Sequence, residues 1–209
     1  MRAIRRGNAD AGFSLVELLI VIALIAILTL ISLPWMIGTL NRAKLVGAAK
    51  EVSTLMQVAR LESIKQGVPT KVQFDSTAQA FLAYADNDRD GDFDAATDRL
   101  ISRGTAFPRG VWLWGPLDTG PEEANAIAGW DSDTCPDYDE DLPFGPVFRT
   151  DGSCNCAGAF RFRDPRGNVL ETRVQFPATA KIVIRKWFGG ASADAEWFEN
   201  GEANHKWTW

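Results

Sequence analysis

Histidine occurs once in these 209 residues, at position 205. That scarcity removes most hydrolytic machinery: there is no room for a Ser-His-Asp triad away from an aromatic tail, and no H-E-x-x-H. A P-loop and a G-x-S-x-G elbow are also missing. Paired carboxylates are plentiful, but they sit in acidic loops where solvated charge is the default, so no catalytic constellation is expected. An excess of basic charge is lacking too. The formal net charge is -5. Arg2, Arg5 and Arg6 against Asp10 put +2 on residues 1–12, so -5 less +2 leaves -7 on the rest. Such a body argues against sequence-independent nucleic-acid binding, which needs Lys and Arg on phosphates. Cysteine is limited to Cys135, Cys154 and Cys156. Cys135 paired with Cys154 or with Cys156 closes a loop of about 20 residues, worth about 3 kcal/mol in chain entropy. Zinc is the weaker reading, because the spacing is C-x18-C-x-C and the single histidine is distant.

What the chain does have is an apolar run from Phe13 to Ile37 with one charge, Glu17. At about 1.5 Å per helical residue it reaches roughly 37 Å, enough to cross a bilayer with some tilt. Arg2, Arg5 and Arg6 precede it, so the positive-inside rule places the N-terminus in the cytoplasm. A secretory signal has a core of about 7–15 apolar residues followed by a small-residue cleavage site. This core is longer, and Val46-Gly47-Ala48 lies well past it. The segment therefore reads as retained. A carboxylate near a helix centre in lipid costs about 2.5–3.5 kcal/mol, less near an end. Glu17 is either a tolerated interfacial acid on a plain signal anchor or an acid with a partner. A cut after Gly12 would supply one, an α-amino group on Phe13, four residues away.

Gly12-Phe13-Ser14-Leu15-Val16-Glu17, followed by unbroken apolar residues to Leu28, resembles the N-terminal signature of type IV pilins and type II secretion pseudopilins. The resemblance implies that a prepilin peptidase cuts between Gly12 and Phe13, that Phe13 is N-methylated, and that Glu17 is the assembly carboxylate. Pro34 matches the helix-kink proline of that family. Ala11, where a basic residue is frequent, and Asp10 depart from the pattern. Farther on, Phe148-Arg-Thr-Asp151-Gly152, Ala159-Phe-Arg-Phe-Arg-Asp164 and Lys181-Ile-Val-Ile-Arg185 resemble the C-terminal half of H-type minor pseudopilins (GspH/FimT). The closing strand usually begins Gly-Arg there; here it is Thr179-Ala180-Lys181.

Beyond Pro34 and Gly38 the pattern turns amphipathic. Leu45, Ala48, Ala49, Val52, Leu55, Met56 and Ala59 recur at spacings of three and four, which predicts a helical stripe running to Gln66 and stopped by Gly67-Val68-Pro69. The stripe covers either the chain's own sheet or neighbouring helices in a filament, and a lone sheet's need for cover favours the first. Strands are expected at 71–74, 81–84, 99–102, 111–114, 160–163, 170–176 and 182–187. Residues 115–146 read as a long loop. The aromatic tail, Trp197, Phe198, Trp207 and Trp209, caps the sheet edge or forms a contact surface.

Asp86-Asn-Asp88-Arg-Asp90-Gly91-Asp92-Phe-Asp94 resembles the start of a calcium loop, with oxygen ligands at alternate positions and Gly at the sixth. The twelfth position, a bidentate Glu in an EF-hand, is Thr97, with Asp98 beside it. The expectation is a Ca²⁺ site on Asp86, Asp88, Asp90 and Asp94, or else a solvated hairpin loop; no other cofactor is required.

The expected fold class is α+β, a pilin fold with a long N-terminal helix packed on an antiparallel β-sheet domain. The segments are a leader (1–12), a transmembrane and filament-core helix (13–40), an amphipathic periplasmic half (41–66) and a β-rich periplasmic domain (67–209). The resemblance implies a bacterial inner-membrane, single-pass, non-enzymatic subunit of a secretion pseudopilus or a type IV pilus-like filament. Its partners would be a prepilin peptidase and other pilins or pseudopilins. A FimT/FimU-like type IV minor pilin in pilus assembly or DNA uptake is the alternative. DNA uptake needs a surface stripe from Arg161, Arg163, Arg173, Lys181, Arg185 and Lys186.

Overall fold

A computed structural model of the chain describes residues 13–93, 96–116, 126–130, 145–190 and 196–209, with only the backbone of 32–35. The chain divides into two compact units, Met1–Leu40 and Asn41–Trp209. One helix, α1 (Leu15–Gln66), runs through both.

In the first unit α1 starts at Ser14. Its Oγ accepts the Glu17 N–H at 3.1 Å and its carbonyl accepts the Leu18 N–H at 3.2 Å. This is N-capping: the hydroxyl satisfies a donor with no partner inside the helix. Glu17 then lies in the first turn, where a negative charge meets the positive end of the helix dipole. The helix has a break at 32–35, between Leu15–Ile31 and Met36–Gln66. The sequence places Pro34 in that break, and proline has no N–H for a helical hydrogen bond. Among the described residues no single helix is long and apolar enough to cross a membrane, but these two segments together pass by length and composition.

In the second unit α1 turns amphipathic and buries one stripe. Leu45, Ala48, Ala49, Val52, Leu55, Met56 and Ala59 are all in the core. The stripe thus covers the chain's own sheets. Small residues at 48, 49 and 59 let the strands approach the helix closely. Gly67 ends α1 in the left-handed conformation (φ 66°), its N–H returning to the Ser63 carbonyl at 3.0 Å.

Two antiparallel sheets receive the helix. The first joins β1 (Thr70–Asp75), β2 (Ala80–Ala85), β3 (Arg99–Arg103) and, after β4 (Trp112–Leu113) and β5 (Ile127–Ala128), β6 (Val147–Phe148), in the order β3-β2-β1-β6. The second holds β7 (Gly158–Arg163), β8 (Val169–Phe176), β9 (Lys181–Trp187) and β10 (Trp197–Phe198) in the order β10-β9-β8-β7-β4, with β5 also on β7. Each sheet is fastened to α1 by a buried threonine. Thr70 Oγ1 donates to the Ala59 carbonyl and Thr172 Oγ1 to the Ala49 carbonyl, both at 2.9 Å. Phe81 from the first sheet meets Phe160 of the second with ring centroids 4.5 Å apart, and Phe74 and Phe107 complete the cluster.

The outer face of the second sheet is buried as well. Register places Arg161 opposite Glu171 and Glu171 opposite Arg185, a row across three strands. Glu171 is fully buried; it accepts Arg161 Nε–H at 3.3 Å and Arg185 Nε–H at 2.7 Å, and the Trp197 ring covers the Arg161 guanidinium at 5.0 Å. The tail is therefore a cap. Trp197 and Phe198 pair with β9, Trp207 and Trp209 pack on the core, and Lys186 reaches the Thr208 carbonyl. Within 115–146, the described piece 126–130 is not loose: Ile127 pairs with Phe160 and Trp130 is fully buried.

Removing one partner of a buried ion group leaves uncompensated charge in a dry site. Glu171→Gln should lower the unfolding free energy by about 3–5 kcal/mol in guanidinium titrations of the detergent-solubilised chain. A loss under about 1 kcal/mol, the range of an exposed pair, would contradict this reading.

Candidate functional site

The N-terminal segment is the first candidate. Gly12 lies outside the described residues. Phe13 is 83% exposed, and every large apolar side chain from Leu15 to Ile31 is 47–77% exposed. Exposure of this extent is not a surface patch but a whole helix apolar on all sides, of the kind that needs lipid or other helices around it. Glu17 is exposed on the same run, and among the described residues no ion pair reaches it. Phe13 stands just ahead of the Ser14 cap, outside the helix, four residues in sequence from Glu17. Ser14 is a site residue that the sequence reading passed over. Its signal was available as S-x-x-E, a capping box directly before an apolar run.

The acidic loop between β2 and β3 is the second. One carboxylate oxygen from each of Asp86, Asp88 and Asp98 lies within 4.8 Å of the others. Asp98 takes the place that the sequence assigned within the first nine residues. Its Oδ1 accepts the Asn87 N–H at 2.9 Å, which closes the loop one residue beyond the EF-hand's twelfth position. Asp90 is not in the group; its Oδ1 accepts the Asp92 N–H at 2.9 Å. Asp94 lies outside the described residues. Burial pushes the Asp86 carboxyl above its ordinary range, helped by the charges of Asp98 and Asp90, while the Arg89 and Gly91 amides oppose the rise.

Four of the six cations expected to form a basic stripe for DNA are engaged within the fold. Arg161 and Arg185 share the single carboxylate of Glu171, Lys186 is buried, and Lys181 faces Glu199 at 3.9 Å. Sequence spacing put these residues on strands correctly but could not show that the tail covers them. The motif residues around them shape turns. Asp164 accepts the Arg166 and Asn168 amides at 2.9 Å each, and Arg60 and Ser63 of α1 hold the 149–152 turn through the Gly152 and Arg149 carbonyls.

Cys156 is disulfide-bonded and Cys154 is a free, buried thiol, 1% exposed. Of the two pairings open to Cys135, which lies outside the described residues, the one with Cys154 is therefore not adopted.

Residues 7–33 match the family model described as prokaryotic N-terminal methylation motif, and residues 48–128 match the one described as type II transport protein GspH. The second match runs from Ala48 in the buried stripe of α1 through β5; the segments at 148–152, 159–164 and 181–185 lie beyond it. No curated protein and no solved structure matches the chain. The two matches, with the long helix on antiparallel sheets, are consistent with a GspH/FimT-type pilin-like protein and support a pseudopilin or type IV pilin-like function.

Burial raises the Cys154 thiol to about 11, so it stays protonated well above neutral pH. A maleimide at pH 8 should label Cys154 only after guanidinium is added, as read by peptide mass mapping. Immediate labelling in the native chain would contradict the packing described.

Proposed function

We propose that this chain is a minor pseudopilin of a type II secretion system, matured by a prepilin peptidase and assembled into a filament through residues 13–40. The observation that carries the reading is the exposed apolar helix that begins directly after Gly12-Phe13 and holds Glu17 as its single charge. Its supports are the two family matches and the arginines ahead of the run. The positive-inside rule then leaves the N-terminus in the cytoplasm and the second unit in the periplasm, with the inner membrane as the starting location.

The mechanism follows from placing charge in a poor dielectric. Cleavage after Gly12 creates an ammonium on Phe13 at the end of the helix. Glu17 in lipid is costly alone and much less so beside a cation, since Coulomb attraction grows as the dielectric falls. The Phe13 ammonium of a neighbouring subunit offers that cation only when two helices lie in the correct axial register. The pair thus selects stacking, while the apolar side chains supply contact area. The stripe from Leu45 to Ala59 is already buried within its own domain, so it leaves assembly to the residues before it. The type IV minor-pilin alternative shares these steps. A DNA-uptake role finds no support in Arg161 and Arg185, which are held by Glu171, or in the buried Lys186.

N-terminal sequencing of the mature chain should begin at methylated Phe13. An intact Met1, or a start beyond residue 40, would overturn the reading. Glu17→Ala should insert in the membrane at normal levels yet be depleted at least tenfold from purified filaments. Normal incorporation would remove the assembly role from Glu17.

A further inference from the structure

The loop that leaves β2 at Asp86 and enters β3 at Arg99 is held down at several points. The Asp86 N–H donates to the Pro69 carbonyl at 3.0 Å. Phe93 is buried with Leu82 and Tyr84 on the outer face of the first sheet, and the Lys71 ammonium lies 5.4 Å from its ring centre. These anchors bring Asp86, Asp88 and Asp98 together from two ends of the loop. The loop's own arginine does not neutralise them in this arrangement; Arg89 Nη2 reaches the Gly67 carbonyl at 3.5 Å.

Asp86 is only 3% exposed. Its Oδ1, itself buried, has no hydrogen-bond partner among the described residues. A buried carboxylate oxygen without a donor is expensive, and two further carboxylates at its side raise the cost. A cation removes both penalties at once. The donors are all oxygen, which selects a hard ion over zinc or copper. Two oxygens on opposite sides of an ion bonded at about 2.4 Å are about 4.8 Å apart, so the separations within the group are of the size that a Ca²⁺ sphere spans. Mg²⁺, at about 2.0–2.1 Å and strictly octahedral, demands a tighter cage. Asp88 is exposed and Asp98 half-exposed, so water has access to the remaining coordination positions.

We propose that Asp86, Asp88 and Asp98 form a Ca²⁺ site that staples the β2–β3 loop, with Asp98 as the closing ligand in place of the twelfth-position glutamate. The proposal is independent of filament assembly: a soluble binding module with this loop would carry the same site. Affinity in the range of about 10⁻⁴–10⁻³ M, that of extracellular calcium modules, suits a site with three carboxylates on an open loop.

The test uses the full-length chain in detergent, stripped with chelator. Titration with CaCl₂ should show one ion per chain by calorimetry and a rise in melting temperature, with MgCl₂ giving a smaller rise. Asp88→Asn and Asp98→Asn should each weaken Ca²⁺ binding at least tenfold. In chelator both should melt no lower than the unsubstituted chain, since each removes like-charge repulsion. Asp88 is exposed, so its variant keeps the fold even if the Asp98 variant does not. Three results would overturn the site: no heat and no melting shift at millimolar Ca²⁺, the same shift in the Asp88→Asn chain, or an equal response to Mg²⁺.

Discussion

A helix that is apolar on every face has no stable place in water, and the rest of this structure follows from that constraint. From Leu15 to Ile31 each large side chain is open, and the run offers no polar face to turn outward. Something must surround it. Lipid satisfies the side chains but not Glu17, and a neighbouring helix that brings an ammonium satisfies both. The same segment can therefore serve first as a membrane anchor and then as filament core, provided that one charge finds its counterpart.

The second half of α1 solves the opposite problem. It must stay with its own domain, so its apolar stripe is narrow and built of small residues at Ala48, Ala49 and Ala59. Two buried threonines bond its backbone to the two sheets. Glu51 adds a third tie through the amide and hydroxyl of Thr105. The outer face of each sheet also holds a buried cation under an aromatic ring, Lys71 beneath Phe93 and Arg161 beneath Trp197. Both covers come from segments that the strand pattern does not announce, a loop and a tail.

Legibility in the sequence tracks this division. The apolar run, the stripe from Leu45 to Ala59, the helix end at Gln66 and the seven expected strands are local patterns, and the structure has an element at each of them. What depended on distant residues was read less well. Arg161 and Arg185 looked like surface cations because alternation with Phe160 and Phe162 marks one face as inside and leaves the other open. Only the return of Trp197 closes it. Asp98 joins Asp86 and Asp88 from the far end of the loop, whereas the local spacing had pointed to Asp90 and Asp94. Ile127–Ala128 is a strand of two residues, too short to show any period, and it forms only because Phe160 offers an edge. Ser14 was legible and missed, since its capping role sits inside a motif that had already been read for processing.

The claim at the centre is that the exposed half of α1 is covered by like helices and not by lipid alone. A photo-reactive phenylalanine analogue in place of Leu24, which is more than half exposed at mid-run, tests it most directly. Irradiated in cells that carry the assembled filament, this position should cross-link to other pilin-like chains at their apolar helices. Cross-links to lipid only, in membranes and filament fractions alike, would contradict the account.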